Sequence, residues 1–140
     1  VLRSTHKPVL VMTGPEFEVP TSFVLAYDGS DTAARLLGHV ASNPLLQGMR
    51  CHLVHADARS AANEAGLSRA GERLRQAGFE FTVTLEEGDV SAVISRTVAR
   101  QGAGLLVMSA NGHSRLRQLV LGSTTSLLLR GSVVPVLVAT

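Results

Sequence analysis

The chain has 140 residues, of which 45% are hydrophobic, and a formal net charge of +2. At that size and apolar content a folded domain buries about two-thirds of its unfolded surface, so disorder is excluded. No apolar run approaches the ~20 residues of a membrane helix and no stretch has the charged start and apolar middle of a secretory signal, so no membrane association and a cytoplasmic location are expected. One cysteine, Cys51, excludes an internal disulfide and a multi-cysteine metal site; in a strand it reads as a buried small hydrophobe. The basic residues are twelve arginines and one lysine, Lys7, far from any glycine-rich loop. A Walker-type phosphate loop and Schiff-base chemistry are thereby excluded. With one Tyr, no Trp and no basic cluster, no nucleic-acid surface is expected.

Residues 1–13 align without gaps to residues 128–140, with Leu, Arg, Pro, Val, Leu, Val and Thr identical. Such self-similarity signals repeated units. Together with a first residue other than methionine, it suggests that residues 1–21 are the last helix turn and strand of a preceding copy plus a Pro-containing linker. Residues 22–140 would then form the domain proper.

In chain order, residues 23–27 (FVLAY) form a short continuous apolar run, the mark of a strand covered on both faces. Asp28-Gly29-Ser30-Asp31 ends it, and Ser30 or Asp31 can cap a helix whose Ala33, Leu36, Leu37, Val40 and Ala41 share one face until Asn43-Pro44. Residues 49–56 (MRCHLVHA) read as a second strand. A more polar helix follows, with Leu67, Ala70, Leu74 and Ala77 at helical spacing and Gly78 at its end. In residues 79–86, Phe79, Phe81, Val83 and Leu85 alternate with Glu80, Thr82, Thr84 and Glu86, which predicts an edge strand with one buried face. Gly88-Asp89 caps a third helix, residues 105–108 (LLVM) form a further buried strand, and after a loop a helix over 123–130 leads to a last strand over 133–139.

Strand and helix alternate, with connections too long for hairpins. This predicts an α/β fold: an open five-stranded parallel sheet in the order 3-2-1-4-5, helices on both faces, plus an extra N-terminal strand. The ligand crevice of such a sheet lies beyond the carboxyl ends of the strands where the winding reverses, here between the first and fourth strands. The Asp28–Ser30 turn and the loop after Met108 should therefore face each other. In that loop Gly112 permits close backbone approach, and Gly122-Ser123-Thr124 opens a helix whose free N–H groups suit a phosphate. Arg115 and Arg117 stand in the same loop. The histidines carry no metal or triad spacing: His52 and His55 point to opposite faces of one strand, and the set reads as surface or loop residues.

The spacing from Gly112 over nine residues to Gly122-Ser123, the LLVM strand, the closing Pro135-Val136-Leu137-Val138 and the opening Val24 to Ser30 together resemble the universal stress protein family, over residues 23–140. The resemblance implies the adenine nucleotide alpha-hydrolase-like fold and an adenine nucleotide ligand, ATP or AMP, with Mg2+ as a counterion. It implies that Ala26, Asp28, Ala56, Met108, Gly112, Gly122, Ser123 and Thr124 line the nucleotide site. Ser109 stands where the family motif has its first glycine. The implied function is a regulatory stress-response module with no catalytic residues and at most slow ATP hydrolysis. A nucleotide-free dimerisation module of the same family is the alternative, favoured by Ser109. Pairing of the last strand (133–139) with residues 8–12 is expected, as a homodimer or an intramolecular tandem contact.

Overall fold

The computed structural model describes residues 8–12, 18–109 and 134–139. The described elements are strand β1 (Val9–Val11), strand β2 (Ser22–Ala26), helix α1 (Asp31–Ser42), strand β3 (Arg50–His55), helix α2 (Ala61–Gln76), strand β4 (Phe81–Leu85), helix α3 (Val90–Gln101), strand β5 (Leu105–Ser109) and strand β6 (Val136–Ala139). They form one six-stranded sheet in the order β1-β6-β5-β2-β3-β4.

The sheet is mixed and six-stranded, not purely parallel and five-stranded. Strands β2 to β6 run parallel to their neighbours, whereas β1 lies antiparallel on β6, with Val9 opposite Val138 and Val11 opposite Val136. The N-terminal segment joins the sheet because β6 would otherwise leave an apolar edge of unpaired backbone groups. The expected helix over 123–130 lies outside the described residues.

Each of the three described helices begins at a side-chain cap. Ser30 accepts the Ala33 N–H, Ser60 that of Asn63 and Asp89 that of Ala92. The ends of α2 and α3 use glycines in the left-handed region, Gly78 at φ 89° and Gly102 at φ 62°. On one face of the sheet, Leu36, Leu37 and Val40 of α1 and Leu67, Ala70 and Leu74 of α2 pack on Phe23, Leu25, Cys51, Leu53, Leu105 and Val107. On the other, Val93, Ile94 and Val98 of α3 pack on Val24, Val54, Leu106, Met108, Val136 and Val138. Alternate residues of β2, β3 and β5 thus enter opposite cores, which is why these strands read as continuous apolar runs.

Two details depart from the sequence pattern. Leu46, in the turn after Pro44, is fully buried and joins the α1/α2 core. Strand β4 is an edge, as its alternation predicts, yet Val83 on its apolar side is 46% exposed. Helix α2 closes over Phe81, where a Cβ on Gly71 would lie only 2.9 Å from the ring, but it does not cover Val83. An open groove of about 650 Å³ remains there, floored by Leu67, Phe81, Val83 and Leu85.

Cys51 is fully buried, and burial pushes its thiol up to about 12. Because the thiolate is the reactive species, the native protein at neutral pH is expected to resist thiol reagents and to react only on unfolding. Rapid labelling by Ellman's reagent without denaturant would contradict this.

Candidate functional site

The winding of the sheet reverses between β2 and β5, which lie side by side in parallel with Leu25 opposite Val107. From β2 the chain leaves into α1 on one face, and from β3 into α2. Helix α3, which precedes β5, covers the other face. The carboxyl ends of β2, β3 and β5 therefore crest together, and ligands of open α/β sheets bind at such a point.

Ala26 ends β2, Ala56 follows β3 and Met108 is the penultimate residue of β5. All three belong to the same cluster under α3, with Met108 buried and Ala26 and Ala56 half-buried, and Val90 from the first turn of α3 packs beside them. Two of these positions are alanines, so the crest is apolar and low, which leaves room above it. Val90 was not among the residues singled out from sequence. Its only signal is its place directly after the Asp89 cap, which brings the start of α3 to the strand ends.

Asp28 is carried just beyond β2. The Tyr27 N–H donates to Val54 O at 2.8 Å, extending the β2–β3 ladder by one residue. The carboxylate then turns onto Ser30: Oδ1 accepts both the Ser30 N–H at 3.0 Å and the Ser30 hydroxyl at 2.5 Å. Ser30 Oγ in turn accepts the Ala33 N–H at 3.1 Å, so the cap of α1 and the orientation of Asp28 are one linked arrangement. Gly29 between them has φ 77°, a conformation that glycine adopts without strain, and a Cβ there would lie 3.8 Å from His55 Cε1.

Ser109 ends β5 opposite Ala139 of β6. It is an extended, paired strand residue, so glycine's freedom is not required at this position. Gly112, Gly122, Ser123 and Thr124, with Arg115 and Arg117, lie outside the described residues. The structure thus brings together Ala26, Ala56 and Met108, with Asp28 and Ser109 at the ends of adjacent strands.

The histidine reading needs correction. His52 and His55 are both buried rather than exposed. His52 Nδ1 and Thr82 Oγ1 share a hydrogen bond of 2.8 Å on the α3 side of the sheet, and burial, with the Arg50 charge second, holds this imidazole below its ordinary range. His55 points to the other side, its ring edge-on to Tyr27 at 5.8 Å and its Nε2 3.8 Å from Asp57 Oδ2. Burial raises the Tyr27 phenol above its usual value, opposed by the nearby Arg69 guanidinium. Among the described residues no group of three or more His, Cys, Asp or Glu side chains is placed to hold a metal ion. No described helix is long and apolar enough to cross a membrane.

A sheet wound in this order, with its reversal point crested by small residues and an aspartate, defines an open α/β protein whose ligand crevice lies beyond the carboxyl ends of its central strands. The family model described as "Universal stress protein family" matches residues 56–140, and the chain belongs to that family. A universal stress protein of Synechocystis is 38% identical over 142 residues, covering 98% of this chain and 48% of the relative. Among solved structures, a universal stress protein from Archaeoglobus fulgidus superposes with TM-score 0.79 at 25% identity, covering 99% of this chain and 51% of that one. A universal stress protein solved in complex with cAMP superposes with TM-score 0.72 at 22% identity, covering 88% of this chain and 98% of that one. The chain spans about half the length of the Synechocystis relative and of the longer Archaeoglobus structure.

Proposed function

We propose that the chain binds an adenine nucleotide, ATP or AMP, at the crest formed by Ala26, Asp28, Ala56, Met108 and Ser109. The loop bearing Gly112, Gly122, Ser123 and Thr124 supplies the phosphate contacts. The observation that carries the reading is the joint placement of Ala26, Ala56 and Met108 in one cluster at the winding reversal, with Asp28 oriented by Ser30 at the end of β2. A flat adenine can lie on such a low apolar floor, while a carboxylate at the end of β2 accepts ribose hydroxyls. The cAMP complex of a similarly folded family member supports the ligand class. With no lysine in the loop, the phosphates rest on backbone N–H groups and hydroxyls, with Mg2+ as counterion. The protein then acts as a regulatory module that senses nucleotide, with at most slow hydrolysis of ATP.

The repeat between residues 1–13 and 128–140 supports a second part of the proposal. Residues 1–21 are the close of a preceding copy and a linker, and residues 22–140 are the nucleotide-binding unit of a tandem protein.

The alternative, a nucleotide-free interaction module, was favoured by Ser109 in place of glycine. That objection weakens, because Ser109 continues the β5–β6 ladder in an extended conformation. Thermal unfolding with and without ligand decides between the two. A ligand present at about 1,000 times its dissociation constant stabilises the folded state by about 4 kcal/mol, so millimolar ATP or AMP with magnesium should raise the melting temperature by several degrees. No rise with either nucleotide, and no heat of binding by calorimetry, would leave the interaction module as the function.

A further inference from the structure

The described sheet ends in β1 on one side and in β4 on the other. β1 is short and directly follows Pro8, two of the devices that keep a sheet edge from recruiting another strand. β4 has neither, for its five residues, Phe-Thr-Val-Thr-Leu, include no proline and no charge. Its hydrogen bonds to β3 show which backbone groups are left over. The Cys51 N–H donates to Glu80 O at 2.9 Å and the Glu86 N–H to His55 O at 3.1 Å, so the even-numbered residues of this strand face β3. The alternate residues Phe81, Val83 and Leu85 therefore turn their N–H and C=O groups outward, where no described strand meets them. The side chains of the same three residues floor the groove beside α2, together with Leu67. The ion pairs Arg59–Glu64 and Arg75–Glu72 line that groove, with Arg75 5.6 Å from the centre of the Phe81 ring. Val83, between Phe81 and Leu85, stays 46% exposed.

We propose that the outer edge of β4 is a docking site for an extended segment of another protein, one that carries alternate apolar side chains and a basic residue at each end. In such strand addition, main-chain hydrogen bonds supply affinity and pockets for every second side chain supply selectivity. β4 offers both along one edge, because the residues with outward backbone groups are the ones whose side chains floor the groove. An added strand would place every second side chain over Val83 on the α2 face. Charge selects the occupant. Glu80 precedes the strand and Glu86 and Glu87 follow it; Glu86 is held by Arg96, whereas Glu80 and Glu87 enter no ion pair among the described residues. A second copy of the chain, pairing antiparallel about Val83, would set Glu80 opposite Glu86 at both ends, and like charges directly opposed are destabilising. A segment with lysine or arginine at both ends meets opposite charge at both ends instead. β4 is two strands removed from the crest at β2, so this edge and the nucleotide site are tested independently.

The probe is a dye-labelled synthetic peptide, Lys-Val-Thr-Val-Thr-Val-Lys, blocked at both ends. Laid antiparallel on β4, it sets its valines opposite Phe81, Val83 and Leu85 and its lysines opposite Glu80 and Glu86. Fluorescence anisotropy should show saturable binding below about 1 mM, and the same peptide with glutamate at both ends should bind about tenfold more weakly. Amide hydrogen exchange locates the contact: the outward N–H groups of Phe81, Val83 and Leu85 should slow on binding, while those of Thr82 and Thr84, which face β3, should not change. Val83→Pro removes an outward donor and no bond to β3, so it should lose binding by about tenfold or more. If that variant does not fold, a peptide N-methylated at its central valine removes the same hydrogen bond from the other partner and should lose binding equally. No saturable binding, equal affinity for the lysine-ended and glutamate-ended peptides, or unchanged affinity after N-methylation would overturn the proposal. Slowed exchange at Phe81, Val83 and Leu85 on raising the protein concentration alone would assign the edge to a second copy and overturn it as well.

Discussion

Phe23→Ala is expected to lower the unfolding free energy by about 3–5 kcal/mol, the range for removing a buried aromatic ring from a core. Phe23 is fully buried on β2, near the middle of the sheet, opposite Cys51 on one side and Leu105 on the other. Its ring meets Phe79 edge-on, with centroids 5.9 Å apart and planes at 83°, an arrangement worth about 0.5–1.5 kcal/mol beyond area burial. The site is poorly able to collapse around a cavity, because ladders on both sides fix the strand that carries it. Against a total stability of about 5–15 kcal/mol, the variant would stand near the threshold of folding. Val83→Ala is the matched control: Val83 is 46% exposed on β4 and should cost no more than about 0.5–1 kcal/mol. Urea unfolding of both variants checks the pair. A loss below about 1 kcal/mol for Phe23→Ala would mean that the α1/α2 core is not the one described.

Much of this core was legible because β2 and β5 are covered on both faces, so their apolar runs needed no partner to be read. The N-terminal strand was legible for a different reason, since its resemblance to the last strand named the edge it would join. Features decided by distant residues were not legible. His52 is buried because Thr82, thirty positions away, supplies a hydrogen-bond partner across the β3–β4 pair. No local pattern marks that. The alternation of β4 separates two faces without showing how far α2 reaches along one of them, so Val83 reads as core but stays exposed. Leu46 sits in a turn, where periodicity carries no information.

The candidate site divides along the same line. Asp28 was marked by its own turn chemistry, Asp-Gly-Ser at the end of an apolar run. Ala26, Ala56 and Met108 carry no chemical mark, and only their likeness to a family pattern singled them out. The sheet supplies the physical reason that the likeness lacked: they end or follow three adjacent strands and share one cluster. Ser109 shows the converse. As a departure from a motif it reads as a defect, whereas as a strand residue paired with Ala139 it needs no glycine.

Asp28→Ala should weaken adenine nucleotide binding by about tenfold or more, equivalent to at least about 1.4 kcal/mol. The difficulty is to separate this effect from damage to helix α1. Asp28 Oδ1 holds Ser30 through two hydrogen bonds, and Ser30 caps α1 through Ala33, so removing the carboxylate also loosens a cap. Loss of a serine cap costs about 1 kcal/mol of stability, and Ser30→Ala should show that cost directly by urea unfolding. Asp28→Asn keeps a carbonyl oxygen able to accept from Ser30 but removes the charge and half the acceptor capacity of the carboxylate. If Asp28 meets the nucleotide, Asp28→Asn should retain nearly wild-type stability and still lose most of the affinity that Asp28→Ala loses, while Ser30→Ala, which keeps the backbone N–H that orients Asp28, should lose stability and retain most of the affinity. Calorimetric titration with AMP, paired with urea unfolding of each variant, measures both quantities. Affinity that tracks stability across the three variants would make Asp28 a helix-capping residue only, and affinity unchanged in Asp28→Ala would remove it from the site.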